Sequence, residues 1–219
     1  MPANVPSNKR IVVVTGAAGN LGRAVCAAFA SQETVLIKLD IETNLLDQKV
    51  VDAAIEKTLL EHRRIDVLCN IAGGFRMGKP VHETSDEDWD FLFDVNVRTV
   101  LHTARAVVPH MLKAGGGKIV NVGAFAAQRG IANMGAYTAS KSALIRLTEA
   151  MAAELREKNI NVNCVLPTVL DTPQNRVDMP KADPKRWVAL EDLAKAIVFL
   201  ASDDARAIHG AALPVPGLS

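Results

Sequence analysis

The sequence predicts a single α/β domain over residues 1–219, a doubly wound parallel sheet with helices on both faces. Three observations predict it. Short apolar runs alternate with longer helical stretches along the whole chain. A glycine-rich turn joins the first run to the first helical stretch. No linker, internal repeat or low-complexity segment divides the chain, and an apolar content of 49% with only 4% aromatics supplies one aliphatic core.

The elements follow in order. Ile11–Thr15 reads as a buried strand, and Leu21–Ala30 as the helix after the turn. Thr34–Leu39 is the second strand. Asp47–Glu61 is helical, with Val50, Val51, Ala54, Ile55 and Leu59 on one side. Ile65–Asn70 is a strand. Asp86–Leu112 forms one or two helices behind Ser85, a good N-cap. Gly115-Gly116-Gly117 ends that stretch before the strand Lys118–Val122. Gly135–Lys158 is helical, Asn161–Leu166 a strand, Leu190–Leu200 a helix and Ala211–Val215 the last strand. Pro173, Pro180 and Pro184 make Thr168–Trp187 a loop rather than a long helix.

Composition narrows the function classes. With 25 basic and 24 acidic residues the net charge is +1, which gives no reason to expect nucleic acid or an anionic membrane as partner. Cys26, Cys69 and Cys164 lie far apart in apolar runs, as reduced core thiols do. The five histidines show no metal-like spacing, so no metal site is expected. The first ten residues lack the apolar core of a signal peptide, and no apolar run is long enough to span a bilayer. The expectation is a soluble cytoplasmic protein acting on a small molecule.

Two patterns carry chemistry. The turn Thr15-Gly16-Ala17-Ala18-Gly19-Asn20-Leu21-Gly22 follows a strand and opens a helix. Its glycines let the backbone approach a pyrophosphate, and the helix N-terminus faces the negative charge. An ordinary strand–helix turn can look the same, but the context favours a dinucleotide and a Rossmann-like fold. Asp40 ends the second strand, where a carboxylate accepts bonds from an adenosine ribose and repels a 2′-phosphate. NAD(H) is therefore favoured over NADP(H), although Lys38 lies close in sequence. Downstream, Tyr137 and Lys141 are one helical turn apart on one face. A neighbouring lysine is expected to lower the phenol's pKa and suit Tyr137 to proton transfer.

These residues resemble the short-chain dehydrogenase/reductase superfamily over nearly the whole chain. Asn70-Ile71-Ala72-Gly73 is similar to its Asn-Asn-Ala-Gly turn, and Asn96 in Phe93-Asp94-Val95-Asn96-Val97 to its helix asparagine. Tyr137 and Lys141 match its Tyr-x-x-x-Lys pair. Asn163-Cys164-Val165-Leu166-Pro167 and Thr172 match the segment at the nicotinamide end. The resemblance implies a homodimer or homotetramer that transfers hydride with a nicotinamide cofactor. It makes Tyr137 the proton donor. Lys141 tunes the phenol and binds the nicotinamide ribose, and Asn96 supports a proton relay. Gly16, Gly19, Asn20, Leu21, Gly22 and Asp40 hold the adenosine half. Asn70, Ala72, Gly73, Pro167 and Thr172 lie along the rest.

The departures are informative. Asn20 stands where the superfamily has its middle glycine, and Gly19 is placed to take over the close approach. Ala124 stands where the superfamily has a catalytic serine, thirteen residues before the tyrosine. Losing one such donor commonly costs about 3–4 kcal/mol in carbonyl chemistry. The stretch Leu170–Asp183 and Trp187 resemble the matching segment of the dihydropteridine reductases, which also lack the serine, prefer NADH and reduce a conjugated quinonoid ring. Three readings follow: a reductase of quinonoid dihydropteridine, a general carbonyl or alcohol dehydrogenase working without the serine, or a catalytically weak NAD(H)-binding sensor. Phe75, Arg76 and Met77 sit in a loop placed to face substrate, and Trp187 either closes over a flat ring or anchors a lid. Between Asp40 and Asn70 there is room for one helix only, so one edge strand and helix are missing from the superfamily's pattern. Either the third strand is lost, or Thr34–Asp40 descends from the third and the second is gone.

Overall fold

The computed structural model describes residues 9–30 and 33–219. The N-terminal residues 1–8, on which the signal-peptide expectation mostly rests, lie outside them. Six strands among the described residues form one parallel sheet: β1 (Arg10–Thr15), β2 (Thr34–Leu39), β3 (Val67–Asn70), β4 (Gly117–Val122), β5 (Ile160–Pro167) and β6 (Ala212–Val215), in the order β2-β1-β3-β4-β5-β6. Thr15 pairs with both Leu39 and Asn70, so β1 sits between β2 and β3. The surviving strand borders β1, as both accounts of the missing segment require.

Alternation along the strands divides the core. Val12 and Val14 of β1 face α1 (Asn20–Ala30) and α7 (Leu190–Leu200), with Val25, Phe29, Leu193 and Ile197 buried against them. Ile11 and Val13 point the other way, into a core built with α2 (Gln48–His62), α4 (Thr99–Ala114) and α5 (Gly135–Leu155). Helices therefore cover both faces, and the central strands are largely buried on both sides.

The long helical stretch is two helices. α3 (Asp86–Phe93) starts at Ser85, whose side chain accepts from the Asp88 amide at 3.2 Å. A π-helical turn, Asp94–Arg98, joins it to α4. Gly115 stops α4 in a left-handed conformation at φ 84°, the usual glycine C-cap. The proline-rich segment contains one short helix, α6 (Pro173–Asp178), where the sequence reading had only loop. Among the described residues no helix is long and apolar enough to cross a membrane.

Candidate active site

The candidate residues collect at the carboxyl ends of β1, β3, β4 and β5, where an open parallel sheet leaves room for a ligand. β1 delivers Thr15, and Gly16 turns the chain with φ 60°. A Cβ on Gly16 would lie 3.0 Å from the Ala72 backbone, and one on Gly22 only 2.1 Å from the Gly16 carbonyl. The turn thus closes on itself through Gly22 and on the next loop through Gly16. Exposed Gly19 has only the Gly16 carbonyl near its missing Cβ, at 3.2 Å, which leaves its outer side open to a ligand. Asn20 opens α1 and accepts from Arg23 Nη2 at 2.8 Å, while buried Leu21 anchors the helix. Asp40 reaches across from β2: its Oδ2 accepts from the Ala18 amide, and its Oδ1 from the Ile41 amide at 2.8 Å.

The second loop is keyed to the first. Thr15 Oγ1 accepts from the amides of Ile71 and Ala72 at 3.0 and 3.1 Å, a contact that no sequence pattern announced. Asn70 accepts from Thr103 and donates to Asn121, both at 2.8 Å, and Asn121 donates to Thr148 at 2.9 Å. This buried polar chain engages the Asn70 side chain within the core, so it shapes the loop rather than doing chemistry.

Asn96 lies in the π-turn, where the ladder bulges and frees its side chain to brace neighbours. It accepts from the Gly74 amide, donates to the Gly74 carbonyl, and donates to Ser140 Oγ at 3.1 Å. A Cβ on Gly73 would sit 3.1 Å from Asn96 Oδ1 and 3.2 Å from Lys141 Nζ. Gly73, Asn96 and Lys141 therefore meet at one point. Lys141 donates to the Val122 carbonyl at 2.7 Å. Half-buried Tyr137, in the first turn of α5, packs with Ala124, Ile145 and Leu166. Ala124 is 4% exposed and offers a methyl where the resemblance implied a hydroxyl. A cavity of about 210 Å³ opens beside this turn, lined by residues including Arg76, Met77, Asp88 and Met134.

Burial sets the protonation states. It pushes the Tyr137 phenol up to about 12 and pulls the Lys141 ammonium down to about 8. The expected lowering of the phenol is corrected: desolvation raises it, and Lys141 makes its hydrogen bond to the Val122 carbonyl. Burial also raises the thiols of Cys69, Cys164 and Cys26, so these are inert core groups.

A pH dependence of stability follows. Folding makes Lys141 release its proton near 8 instead of 10.5, so its charge is penalised in full below pH 8. Between these values the unfolded chain holds more protons, and stability rises with pH. Tyr137 acts oppositely from pH 10 upwards, because the folded state keeps its proton to about 12. The buried thiols of Cys26, Cys69 and Cys164 act the other way as pH climbs towards 9, equally in both proteins, so the urea midpoint of wild type relative to Lys141→Met should rise from pH 7.5 to 9.5. A difference between the two proteins that does not change with pH would refute the assignment.

The remaining candidates follow the carboxyl end of β5. Pro167 ends β5. Thr172 accepts from the Asn175 amide at 3.1 Å and so caps α6. Asp171 grips Arg176 at 2.6 and 2.7 Å. Trp187 is 8% exposed, which makes it the anchor of this segment rather than a flap.

The glycines form a cradle with no room for side chains, and the helix N-terminus and an acid stand beside it. These features fit a dinucleotide. The chain matches the family described as Enoyl-(Acyl carrier protein) reductase over residues 8–217. It is 34% identical to a cyclopentanol dehydrogenase of Comamonas sp. over 242 aligned positions, covering 96% of each chain. It is 32% identical to Dehydrogenase/reductase SDR family member 6 of Rattus norvegicus over 237 positions, covering 95% of this chain and 96% of that one. Both alignments exceed the 219 residues present here, in keeping with a segment that this chain lacks. The solved NAD⁺-bound xylitol dehydrogenase superposes with a TM-score of 0.86 at 25% identity, over 95% of this chain and 98% of that one. Sequence, sheet order and site geometry agree: the chain belongs to the short-chain dehydrogenase/reductase superfamily, in the family described as Enoyl-(Acyl carrier protein) reductase.

Proposed function

We propose that this protein is an NAD(P)-dependent oxidoreductase in which Tyr137 gives the proton to the reduced substrate. The observation that carries the reading is the meeting of Gly73, Asn96 and Lys141 one helical turn from Tyr137, beside the glycine cradle. Bound there, a nicotinamide dinucleotide supplies or takes the hydride. Gly16, Gly19, Asn20, Leu21, Gly22 and Asp40 would hold its adenosine half, and Asn70, Ala72, Gly73, Lys141, Pro167 and Thr172 the rest. Tyr137 is protonated at neutral pH, the form from which a proton donor acts. The same reading has the enzyme act in the cytoplasm as a homodimer or homotetramer.

Asp40 supports NADH as the preferred cofactor. Its carboxylate already accepts a bond at the mouth of the turn and would face a 2′-phosphate with like charge. Asp40→Ser should move the NADPH-to-NADH ratio of kcat/KM towards NADPH by about tenfold or more, since about 1.4 kcal/mol is a factor of ten. An unchanged ratio would remove Asp40 from the adenosine site.

Ala124 and the Leu170–Asp183 segment favour a conjugated acceptor such as quinonoid dihydropteridine, on which no localised alkoxide develops. A carbonyl or alcohol substrate is the second reading, favoured by relatives such as the cyclopentanol dehydrogenases. NADH oxidation with quinonoid dihydropterin, set against ketones and aldehydes, separates them. Ala124→Ser should leave pterin turnover unchanged or lower. A rise in ketone turnover of about 10²–10³-fold would instead establish carbonyl chemistry. Tight NADH binding with no turnover of any acceptor would leave a sensor.

A further inference from the structure

The wall beside Tyr137 is held from behind. The Phe75 ring meets the Tyr137 ring edge to face, with centroids 4.8 Å apart at 88°. Phe75 is nevertheless 54% exposed, so much of its surface is open. Both of its chain neighbours are fixed. Gly74 exchanges two hydrogen bonds of 3.0 Å with Asn96, and a Cβ on it would lie 2.9 Å from the Phe91 ring and 2.8 Å from Val95. Arg76 lies over the opposite partner of that contact, its guanidinium 4.0 Å from the Phe91 ring centre, and donates to Asp88 at 2.7 Å. Phe91 thus touches the chain on both sides of Phe75. Asp88 is kept ionised by Arg76, Ser85 and Lys79, which hold its carboxyl below the usual range. Glu87 stands 3.7 Å from Arg76 as a looser partner.

We propose that Arg76 is a positioning residue that, with Asp88 and Phe91, fixes Phe75 against Tyr137, and that Phe75 is the specificity-determining surface on which a flat substrate ring lies. Arg76 directs its guanidinium to Asp88 and Phe91, so it acts through Phe75. An aromatic ring held edge to face by one neighbour keeps a face for stacking a second ring. Tyr137 also packs against the apolar cluster that holds Ala124. Fixing Phe75 in advance spares the ordering cost that a free side chain would impose on binding. The substrate half of this inference rests on Tyr137 as proton donor; the latch does not.

Tyr137 is the only tyrosine, so ¹³C-tyrosine labelling gives one set of ring signals that report Phe75 through its ring current. Phe75→Ala should move these signals. Arg76→Leu and Asp88→Asn should move them in the same direction by at least about half as much, and Arg76→Leu should add nothing in the Phe75→Ala background. Arg76→Lys should restore part of the shift. A wild-type spectrum in Arg76→Leu, or fully additive shifts, would overturn the latch. For the contact surface, biopterin is the probe, titrated into the NADH-saturated protein. Its Kd should rise about tenfold in Phe75→Ala and in Arg76→Leu, with the Kd of NADH unchanged. Absence of biopterin binding to wild type, or an unchanged Kd in Phe75→Ala, would overturn the substrate half. Neither readout needs turnover, so both stand apart from the test of the oxidoreductase reading.

Discussion

Tyr137→Phe should lower kcat by about 10²–10⁴-fold, the usual contribution of a positioned proton donor, while the Kd of NADH stays within about twofold of wild type. The argument is local. Phenylalanine keeps the ring that packs with Ala124, Ile145 and Leu166 and that meets Phe75 at 4.8 Å. Only the hydroxyl is lost. The backbone bond from Ser140 Oγ to the Tyr137 carbonyl, 2.9 Å long, is unaffected, so Asn96 keeps its partner. The thermal midpoint should therefore barely move. Steady-state NADH oxidation, fluorescence titration with NADH and a melting curve check the three parts. A kcat equal to wild type would remove the proton-transfer role.

Gly22→Ala should have the largest effect on the cofactor turn. The new methyl would lie 2.1 Å from the Gly16 carbonyl and 2.8 Å from Ala17 Cα, and both neighbours are backbone. Neither can rotate away as a flexible side chain would. Gly16 is itself pressed against Ala72 and cannot retreat. The turn must open, at a cost of about 3 kcal/mol, or roughly 6–12 °C in Tm for a domain of this size. NADH affinity should fall by at least about tenfold, because opening the turn moves the amides away from the pyrophosphate. Gly130→Ala is the control, since nothing lies within 4 Å of its missing Cβ. A Gly22→Ala protein with wild-type Tm and Kd would contradict this account of the turn.

The sheet was legible because burial writes itself into strands. Ile11–Val14 is apolar on both faces and Val162–Leu166 nearly so, which marks central strands, and the structure buries them so. The cradle was legible for a similar reason: backbone that must pack on backbone excludes side chains, and glycine records the exclusion. What the sequence could not show depends on partners far along the chain. The π-turn at Asp94–Arg98 has no compositional signature, yet it lets Asn96 reach both Gly74 and Ser140. Thr15 gave no sign that it would hold Ile71 and Ala72. The Tyr137–Lys141 spacing put the two residues one turn apart on α5, but the sign of the phenol's shift was set by burial, which spacing does not encode. Arg76 stood out as one of three loop residues placed to face substrate, whereas its guanidinium turns to Asp88 and Phe91. Its partners Asp88 and Phe91 lie on one face of α3 and become neighbours only once the helix docks.

Hydride transfer itself is the most direct test of the central claim. NADH deuterated at the transferable C4 position would be incubated with the protein and, in turn, quinonoid dihydropterin, a ketone panel and an aldehyde panel, and each product weighed by mass spectrometry. One deuterium should appear in the product of at least one acceptor with wild type, at a rate at least about a hundredfold above Tyr137→Phe. Tight NADH binding with no label in any product, or labelling that Tyr137→Phe leaves undiminished, would contradict the account.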